Sequence, residues 1–373
     1  MPKNIKSHKY HKKTILLLFV LGLSLLVLNL NNISGFIADS VIHPLLGEKN
    51  TLLLESVYFG IQDKFNQLEY KYLGKNNPSF TKTVISKKVK LQNVDQMDLN
   101  TFTLQLNLPK ISGEGEWTPV SQIYFPNQVI LAKSFIRPDL TRPYAIVYLV
   151  KMDMKKLGVG VQAGTYYPGG THRVYGPGVV PLDIKNSNSL LAVFNGGFQE
   201  KDGHYGMIVG NKTYVPLRKN MPTLLFHADG SFSLITYTGQ EIPKDVVALR
   251  QNGPFLIEND RVTSYVELGP DTWGRTVTNS MYTWRSGLGI TKDGNLIYAV
   301  GNSLLPGTLA KALIAAGAVN AIQLDINQPW VRYIIYQSIG NGKYNSAPLL
   351  TSMKGGKEYL TKYNKDFFYI YKK

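Results

Sequence analysis

The sequence has no cysteine and comparatively few acidic residues, and both features restrict what the protein can be. Without cysteine, disulfides, zinc–thiolate sites and thiol nucleophiles are excluded. Lysine and arginine number 41 against 25 aspartates and glutamates, which gives a formal net charge of +16 over 373 residues. The chain is therefore basic, and its structure has to be held together by packing and hydrogen bonds.

Several short motifs for catalysis and nucleotide binding are also missing. The segment 301–307 lacks the Gly-Lys-Ser/Thr ending of a P-loop, and neither a Gly-x-Ser-x-Gly elbow nor a His-Glu-x-x-His segment occurs. No spacing of residues predicts a metal site or a cofactor. What the chain does contain is 23 tyrosines and 15 phenylalanines, a composition typical of a folded, strand-rich protein.

Near the N-terminus, an apolar run from Ile15 to Leu28 follows five lysines. Its length fits either a signal-peptide core or a short membrane-spanning helix. No small-x-small cleavage site follows the run, which favours an uncleaved transmembrane anchor over residues 14–30. The positive-inside rule then predicts a basic cytoplasmic tail over 1–13 and an extracytoplasmic location for the main domain.

The predicted topology changes the meaning of the positive charge. Subtracting the five cytoplasmic lysines from +16 leaves +11 for the exported part. We expect anionic or phosphate-linked glycans and lipid headgroups as partners, and no nucleic acid, unless the charge serves only solubility. An exported chain without disulfides is more typical of a bacterium than of a eukaryotic secretory compartment. The sequence does not indicate an oligomeric state.

Residues 31–112 are predicted to form a helical and extended stalk region. Thr51 is a suitable helix cap, apolar residues then recur at three- and four-residue spacing as far as Tyr72, and Gly74 supplies a stop. This amphipathic helix either docks against the main domain or contacts a membrane or a second copy. Further along, the segment 101–106 alternates between polar and apolar residues as a strand does.

The main domain, 113–373, is expected to be an α+β fold with a mixed, largely antiparallel β-sheet core and flanking helices. Strands are predicted at 145–150, 190–194, 223–226, 232–237, 246–249, 296–300 and 321–324. Asp229-Gly230 and Asp293-Gly294 are typical of hairpin turns. One helix is predicted over 309–316, capped by Thr308 and stopped by Gly317.

The C-terminal half contains an ordered series of glycine-punctuated segments at or near strand ends. The series consists of Asn195-Gly196-Gly197-Phe198, Gln251-Asn252-Gly253-Pro254, Trp284-Arg285-Ser286-Gly287-Leu288-Gly289 and Leu324-Asp325-Ile326-Asn327. Such segments present polar side chains and bare backbone amides where strands stop, and binding sites are commonly built there.

In order and content, this series resembles the phosphodiester glycosidase family over roughly Gly113 to Tyr336. The family includes the enzyme that uncovers mannose 6-phosphate by removing N-acetylglucosamine from a phosphodiester. The resemblance implies a hydrolase that cleaves a sugar from a sugar-phosphodiester. Together with the anchor, it predicts a membrane-bound enzyme of bacterial cell-envelope or exopolysaccharide metabolism.

Three residues are predicted to be catalytic. Asp325 follows an apolar strand and is a candidate general base, nucleophile or sugar contact, unless it merely receives backbone amides in the turn. Arg285 is a candidate electrophilic clamp on the phosphodiester, and an ordinary salt bridge is the alternative. His204 is a candidate general acid, and a solvent-exposed loop histidine is the alternative.

Seven further residues are predicted to contact the substrate. Asn195, Gly196, Gly197 and Asn252 belong to the glycine-rich segments, and Arg173 is a further anion contact. Asn327 and Trp330 complete the set, the former as a hydrogen-bond donor and the latter as a ring that stacks on a sugar face.

The sequence departs from the better-known members of the family directly after the aspartate. Those members carry Gly-Gly-Gly-Ser there, whereas this chain has Ile326-Asn327-Gln328-Pro329-Trp330 and resembles a bacterial branch with Leu-Asp-Ile-Asn. Ile326 and Pro329 would obstruct or stiffen a surface that glycines leave open. A second hypothesis follows, in which the chain is a non-catalytic glycan-binding or polysaccharide-assembly protein that retains the fold.

Overall fold

The computed structural model describes residues 63–64, 66–68, 70–72, 78–81, 97–120, 128–274, 281–328, 330–353 and 355–373. The described residues belong to one compact unit spanning Asp63–Lys373. The predicted basic tail and transmembrane anchor lie outside the described residues. Among the residues that are described, none forms a helix long and apolar enough to span a membrane.

The largest sheet contains eight strands and forms the centre of the domain. Its spatial order is β1-β2-β3-β14-β13-β15-β11-β12. The strands are β1 (Thr118–Pro119), β2 (Leu131–Ile136), β3 (Val147–Met152), β11 (Phe255–Glu258), β12 (Arg261–Val262), β13 (Thr283–Thr291), β14 (Leu296–Leu304) and β15 (Ala318–Ile326). The β13–β15 pairing shifts its register between Arg285 and Gly287, next to the end of β15.

Two five-stranded sheets complete the fold. One has the order β7-β6-β10-β8-β9 and the other the order β17-β16-β5-β18-β4. The first consists of β6 (Met207–Val209), β7 (Lys212–Val215), β8 (Met221–His227), β9 (Phe232–Tyr237) and β10 (Val246–Gln251). The second consists of β4 (Leu157–Gln162), β5 (Leu190–Asn195), β16 (Tyr333–Gly340), β17 (Lys343–Pro348) and β18 (Phe367–Lys372).

Aromatic rings pack the β5-containing sheet against the large sheet. Phe194 of β5 contacts Tyr298 of β14 at 5.1 Å between ring centroids, and Tyr333 and Phe368 pack on the same ring of Phe194. The opposite face of the large sheet is covered by a helix, whose Leu309 belongs to one core cluster with residues of β3, β14 and β15. Burial on both faces explains why β3 and β14 are mostly apolar.

Helices are few and short. In the described part of the main domain they are α1 (Leu182–Asn186), α2 (Pro270–Trp273) and α3 (Pro306–Ala315). The predicted helix over 309–316 corresponds to α3, but α3 begins at Pro306 with Leu305 as its N-cap rather than at a Thr308 cap. Proline is favoured in the first turn because its fixed φ suits a helix and its missing N–H has no partner there.

The expected antiparallel sheet core is confirmed, since every described strand pair is antiparallel. Parallel pairs, which the mixed-sheet prediction allowed, do not occur among the described strands. Gly230 and Gly294 both have positive φ, in the β8–β9 and β13–β14 turns where hairpins were predicted.

The predicted stalk region is described only in part. All described residues between 63 and 72 are helical, as expected for the end of the amphipathic helix. Residues 101–108 alternate between exposed and partly buried, but they pair with none of the strands that the structure describes. Phe102 instead donates its N–H to Gly115 O at 3.0 Å and packs against the core cluster beneath α3. The domain boundaries stay predictions.

Candidate functional site

A buried ion pair lies at the end of β15. Lys365 Nζ donates a hydrogen bond to Asp325 Oδ2, while Asp325 Oδ1 accepts the backbone N–H of Ile326 at 2.9 Å. Both charged side chains are buried. Burial raises the pKa of Asp325 to about 6, although the ammonium of Lys365 acts in the opposite direction. The carboxylate therefore titrates in the range useful for proton transfer.

Lys365 remains a cation in this environment. Burial alone lowers the pKa of its ammonium, but the neighbouring Asp325 carboxylate outweighs that effect and the net pKa is raised above the ordinary value. The ammonium also lies 4.4 Å from the ring centroid of Trp330, a favourable distance for a cation–π contact. Lys365 is thus a charged group held between a carboxylate and an aromatic face.

A second buried ion pair adjoins the first, because Asp366 follows Lys365 in the chain. Asp366 Oδ2 accepts hydrogen bonds from Arg250 Nε at 2.9 Å and from Gly197 N at 3.1 Å. Its other oxygen, Oδ1, is buried and has no hydrogen-bond partner among the described residues. The negative charge of Asp366 also contributes to the raised pKa of Asp325, so the two pairs form one network. We call Asp325, Lys365, Asp366 and Arg250 the four-charge cluster.

Steric constraints explain the paired glycines after β5. A Cβ on Gly196 would lie 2.1 Å from Asp366 Oδ2, and a Cβ on Gly197 would lie 2.6 Å from Asn252 Oδ1. No real side chain tolerates such distances, so the two glycines allow Asp366 and Asn252 to approach the backbone. The two glycines thus lie against the four-charge cluster, and their predicted contact with substrate stays a prediction.

Asn195 joins β5 to the large sheet. Its amide nitrogen donates to Ser286 Oγ at 2.9 Å, and its oxygen accepts from Tyr298 OH at 2.8 Å and from Arg332 N at 3.1 Å. Ser286 Oγ in turn donates to the backbone oxygen of Asp325 at 2.9 Å. Ser286 therefore links Asn195 to Asp325, but the amide group of Asn195 is occupied by protein partners, and its predicted contact with substrate stays a prediction.

The side chain of Asn252 links the glycine-rich loop after β5 to β15, as Asn195 links β5 to the large sheet. Its oxygen accepts the backbone N–H of Phe198 at 2.8 Å, and its nitrogen donates to Gln323 O at 2.6 Å and to Leu324 O at 3.1 Å. These bonds tie the glycine-rich loop after β5 to β15. Asn252 thus positions the two segments that flank Asp325, and its predicted contact with substrate stays a prediction.

Arg285 lies outside the four-charge cluster. Its guanidinium donates to the backbone oxygens of Leu304, Trp273 and Met281 and to Gln323 Oε1, at distances from 2.7 to 3.0 Å. It forms no ion pair within the part of the chain that the structure describes. Burial lowers the pKa of Arg285 to about 9. These bonds direct the side chain into the core rather than towards Asp325, and this geometry does not favour the predicted phosphate clamp.

Ile326, which directly follows Asp325, fills space beside the glycine-rich loop. It is buried in a small cluster with Phe198 and Tyr205. Asn327 has a positive φ of 71° and accepts a hydrogen bond from Thr283 Oγ1 at 3.1 Å through its side chain. Trp330 is half-buried, unlike Asp325 and Lys365. Trp330, like Asn327, is therefore partly accessible to solvent next to the buried ion pair.

Among the described residues, no hydrogen bond or ion pair joins His204 or Arg173 to Asp325, and their predicted roles stay predictions. His204 is exposed and its Nδ1 is hydrogen-bonded to Glu200, a buried carboxylate that also accepts from Thr171 Oγ1 at 3.0 Å. Arg173 is exposed in a left-handed turn. Across the described ranges, no group of three or more histidine, aspartate or glutamate side chains is arranged to hold a metal ion.

Reasoning from the sequence missed three members of the four-charge cluster. Arg250 directly precedes the Gln251-Asn252 segment, and Lys365-Asp366 directly precedes the apolar strand β18. Two adjacent opposite charges at the start of a buried strand have to be paired, because uncompensated charges are costly inside a protein. That signal was present in the sequence, but it did not identify the partners.

Comparison with solved structures gives distant similarities. The catalytic domain of zebrafish N-acetylglucosamine-1-phosphodiester alpha-N-acetylglucosaminidase, auto-inhibited by its pro-peptide, is 17% identical with a TM-score of 0.42, covering 65% of this chain and 84% of that one. A hypothetical protein from Synechocystis is 13% identical with a TM-score of 0.31, covering 61% of this chain and 59% of the other.

Among curated proteins, a sequence comparison finds no match. A family model does match part of the chain, and the matched part covers the glycine-rich loop after β5, the Asn252 segment, β13 and the end of β15. Residues 188–325 match the model of the phosphodiester glycosidase family, and the resemblance expected from the sequence is thereby confirmed over the range that ends at Asp325.

Proposed function

We propose that the protein is a hydrolase that cleaves the bond between a sugar and a phosphodiester, with Asp325 as its central catalytic group. The observation that carries the proposal is the buried Asp325–Lys365 pair beneath Trp330, at the end of the family match. A carboxylate with a raised pKa, a fixed cation and an aromatic ring together supply proton transfer, charge stabilisation and a surface for a sugar.

In the proposed reaction, ionised Asp325 accepts a proton from a water molecule whose oxygen bonds to the anomeric carbon of the sugar. The bond between that carbon and the phosphate oxygen breaks, and the oxygen leaves with the electron pair. The products are the free sugar and a phosphate monoester. Because the phosphate is a weakly basic leaving group, a nearby cation suffices where an ordinary glycoside needs a second carboxyl as acid.

Lys365 is the proposed cation, in place of Arg285. Its ammonium already lies beside Asp325, whereas the guanidinium of Arg285 is committed to core oxygens. Trp330 would stack on the sugar ring and orient the anomeric carbon, as its half-buried position beside Lys365 allows. His204 has no part in this mechanism because its imidazole is bonded to Glu200 on an exposed loop.

The test is release of sugar from N-acetylglucosamine 1-(methyl phosphate) by the purified chain. Asp325→Asn and Trp330→Ala should both lose turnover, and Trp330→Phe should retain part of it because a ring remains. His204→Gln serves as a control and should keep full turnover. Undiminished release by Asp325→Asn would remove this residue from the mechanism and with it the proposal.

The proposal also includes a location. The five lysines and the apolar run at residues 14–30 support a membrane anchor that holds the domain outside the cytoplasm, within bacterial cell-envelope or exopolysaccharide metabolism. Protease added to intact cells should remove the domain and leave the N-terminal tail protected. Protection of the whole chain until the cells are lysed would contradict this topology.

One observation favours a second function, namely non-catalytic glycan binding. Ile326 is buried against Phe198 where other family members are expected to have an open glycine surface. In that case, sugar phosphodiesters would bind with an affinity that depends on Trp330, but no sugar would be released from any of them. The release assay and calorimetry with the same compounds distinguish the two functions, because the release assay measures turnover and calorimetry measures binding.

A further inference from the structure

Two exposed tyrosine rings lie close together on the loop that follows β4. Tyr166 and Tyr175 are 42% and 49% exposed, and their ring centroids are 6.1 Å apart. Tyr166 also meets Tyr167 edge-on at 4.8 Å, and its ring lies against Gly170, where a Cβ would be 2.8 Å away. We call Tyr166 and Tyr175 the tyrosine platform. Its rings are held in place although large parts of them face solvent.

Positive charge lies at the edge of the tyrosine platform. Lys212 Nζ donates a hydrogen bond to the backbone oxygen of Tyr175 at 2.7 Å. Arg173, two residues before Tyr175, is exposed at the end of the short 3₁₀ turn Gly169–His172. The neighbouring acid, Glu200, is buried and bonded to Thr171 and His204. The exposed surface around the rings is therefore aromatic and cationic.

The loop that carries the platform is fastened to the segment of the four-charge cluster. The backbone N–H groups of Tyr166 and Tyr167 both donate to Asn364 O, at 3.2 and 2.8 Å, and Thr165 donates to Tyr363 O at 2.8 Å. Gly164 permits this contact, since a Cβ there would lie 2.3 Å from the same Asn364 oxygen. Asn364 directly precedes Lys365, so the platform and the candidate site are built on one stretch of backbone.

We propose that the tyrosine platform is a binding subsite for a further unit of a phosphate-linked glycan chain, so that the substrate is a polymer rather than a single sugar phosphodiester. The choice of substrate class rests on the proposed function. Tyrosine rings offer flat apolar faces that lose little side-chain entropy on binding, which suits the faces of sugar rings. Lys212 and Arg173 complement the phosphates that link successive sugars.

The experiment measures binding by calorimetry with the full chain in mild detergent. The probe is a synthetic tetramer of N-acetylglucosamine 1-phosphate joined by phosphodiester bonds, compared with the single unit N-acetylglucosamine 1-(methyl phosphate). The double variant Tyr166→Ala/Tyr175→Ala should raise the Kd of the tetramer about tenfold. The Kd of the single unit should not change, because the single unit does not reach the platform.

Two controls accompany this comparison. Tyr265→Ala removes a ring that is 47% exposed elsewhere and should leave both Kd values unchanged. Arg173→Gln/Lys212→Gln should also weaken binding of the tetramer, by a factor that shrinks at about 0.5 M salt as screening increases. Neutral chitotetraose should bind more weakly than the phosphate-linked tetramer.

Three outcomes would overturn the subsite: no binding of the tetramer, an unchanged tetramer Kd in the double tyrosine variant, or chitotetraose binding as tightly as the tetramer. Failure of the proposed function would give a different result from failure of the subsite. The unsubstituted chain would then bind the tetramer in a platform-dependent way but release no sugar, and the subsite would stand without the hydrolase. Release that is insensitive to the tyrosines would leave the hydrolase without the subsite.

Discussion

Lys365 and Asp325 form a buried ion pair although 40 positions separate them in the chain. Their contact depends on the pairing of β18 with β5, in which Phe367 lies opposite Asn195. That pairing carries Lys365 and Asp366 to the end of β15, where Asn195, Ser286 and Asp325 are already linked. The candidate site is therefore a product of sheet topology.

Removing one partner of this pair should cost both stability and activity. In Lys365→Met, the carboxylate of Asp325 is left buried without a counter-charge, and we expect a loss of about 3–5 kcal/mol in the free energy of unfolding. The double variant Asp325→Asn/Lys365→Met should recover much of that loss, because no uncompensated charge remains. Sugar release should be weakened in Lys365→Met and absent in the double variant. Denaturant unfolding and the release assay check these outcomes, and a double variant no more stable than the single one would contradict the explanation.

The raised pKa of Asp325 predicts a pH profile. If ionised Asp325 is the base, sugar release should rise as the pH increases through about 6, the pKa set by burial. In Lys365→Met the loss of the neighbouring positive charge should move this limb of the profile to higher pH. Lys156→Met breaks a different lysine–aspartate pair, with Asp153, and should leave the limb in place. A profile that is flat between pH 5 and 7 would remove Asp325 from proton transfer.

Stability should depend on pH in the opposite sense from a usual carboxylate. The pKa of Asp325 is higher in the folded chain than in the unfolded one, so folding favours its protonated form. The contribution of Asp325 to the free energy of unfolding is complete below the unfolded pKa and is lost as the pH rises through about 6. Asp325→Asn should lack this component, which denaturant unfolding between pH 4 and 7 would measure.

Much of the fold could be predicted from local patterns. The strand predicted at 232–237 matches β9, and the two hairpin glycines have the positive φ that their turns require. Alternation, apolar runs and turn residues are local signals, and they determine local structure. Asp325 and Asn195 could also be placed near each other, because both end buried strands.

The chemistry around Asp325 could not be predicted in the same way. Arg285 was predicted at the site, but the β13–β15 register shifts beside it, and the side chain bonds to Leu304 O and Trp273 O in the core. A register shift leaves no clear trace in a single sequence. Lys365 was missed for a related reason, since only the pairing of β18 brings it to Asp325.

A substitution at Arg285 separates a structural role from a substrate contact. Arg285→Lys keeps the positive charge but loses the planar fork that reaches several oxygens at once. We expect a loss of about 1–3 kcal/mol in the free energy of unfolding, because buried oxygens lose their donors. The KM for a sugar phosphodiester should be unchanged at a temperature where the variant is folded. A large rise in KM without a loss of stability would restore Arg285 as the phosphate clamp.

The contact between Gly274 and Ile326 predicts an energetic coupling. A Cβ on Gly274 would lie 2.5 Å from Ile326 Cδ1, and the glycine also has a φ of 88°. Gly274→Ala should therefore destabilise the chain through both a clash and backbone strain. Ile326→Ala alone should cost about 2–5 kcal/mol because it leaves a cavity beside Phe198.

In the double variant the smaller side chain at 326 removes the clash. Its loss of stability should therefore be smaller than the sum of the losses in the two single variants. We expect a coupling energy of about 0.5–3 kcal/mol from denaturant unfolding of the full cycle. Val262→Ala, at an exposed position of β12, provides a second partner for Gly274→Ala, and there the losses should add. If the losses also add in the cycle of Gly274 and Ile326, Ile326 does not occupy the space beside Gly274. The surface at the end of β15 would then be as open as if glycine stood at position 326.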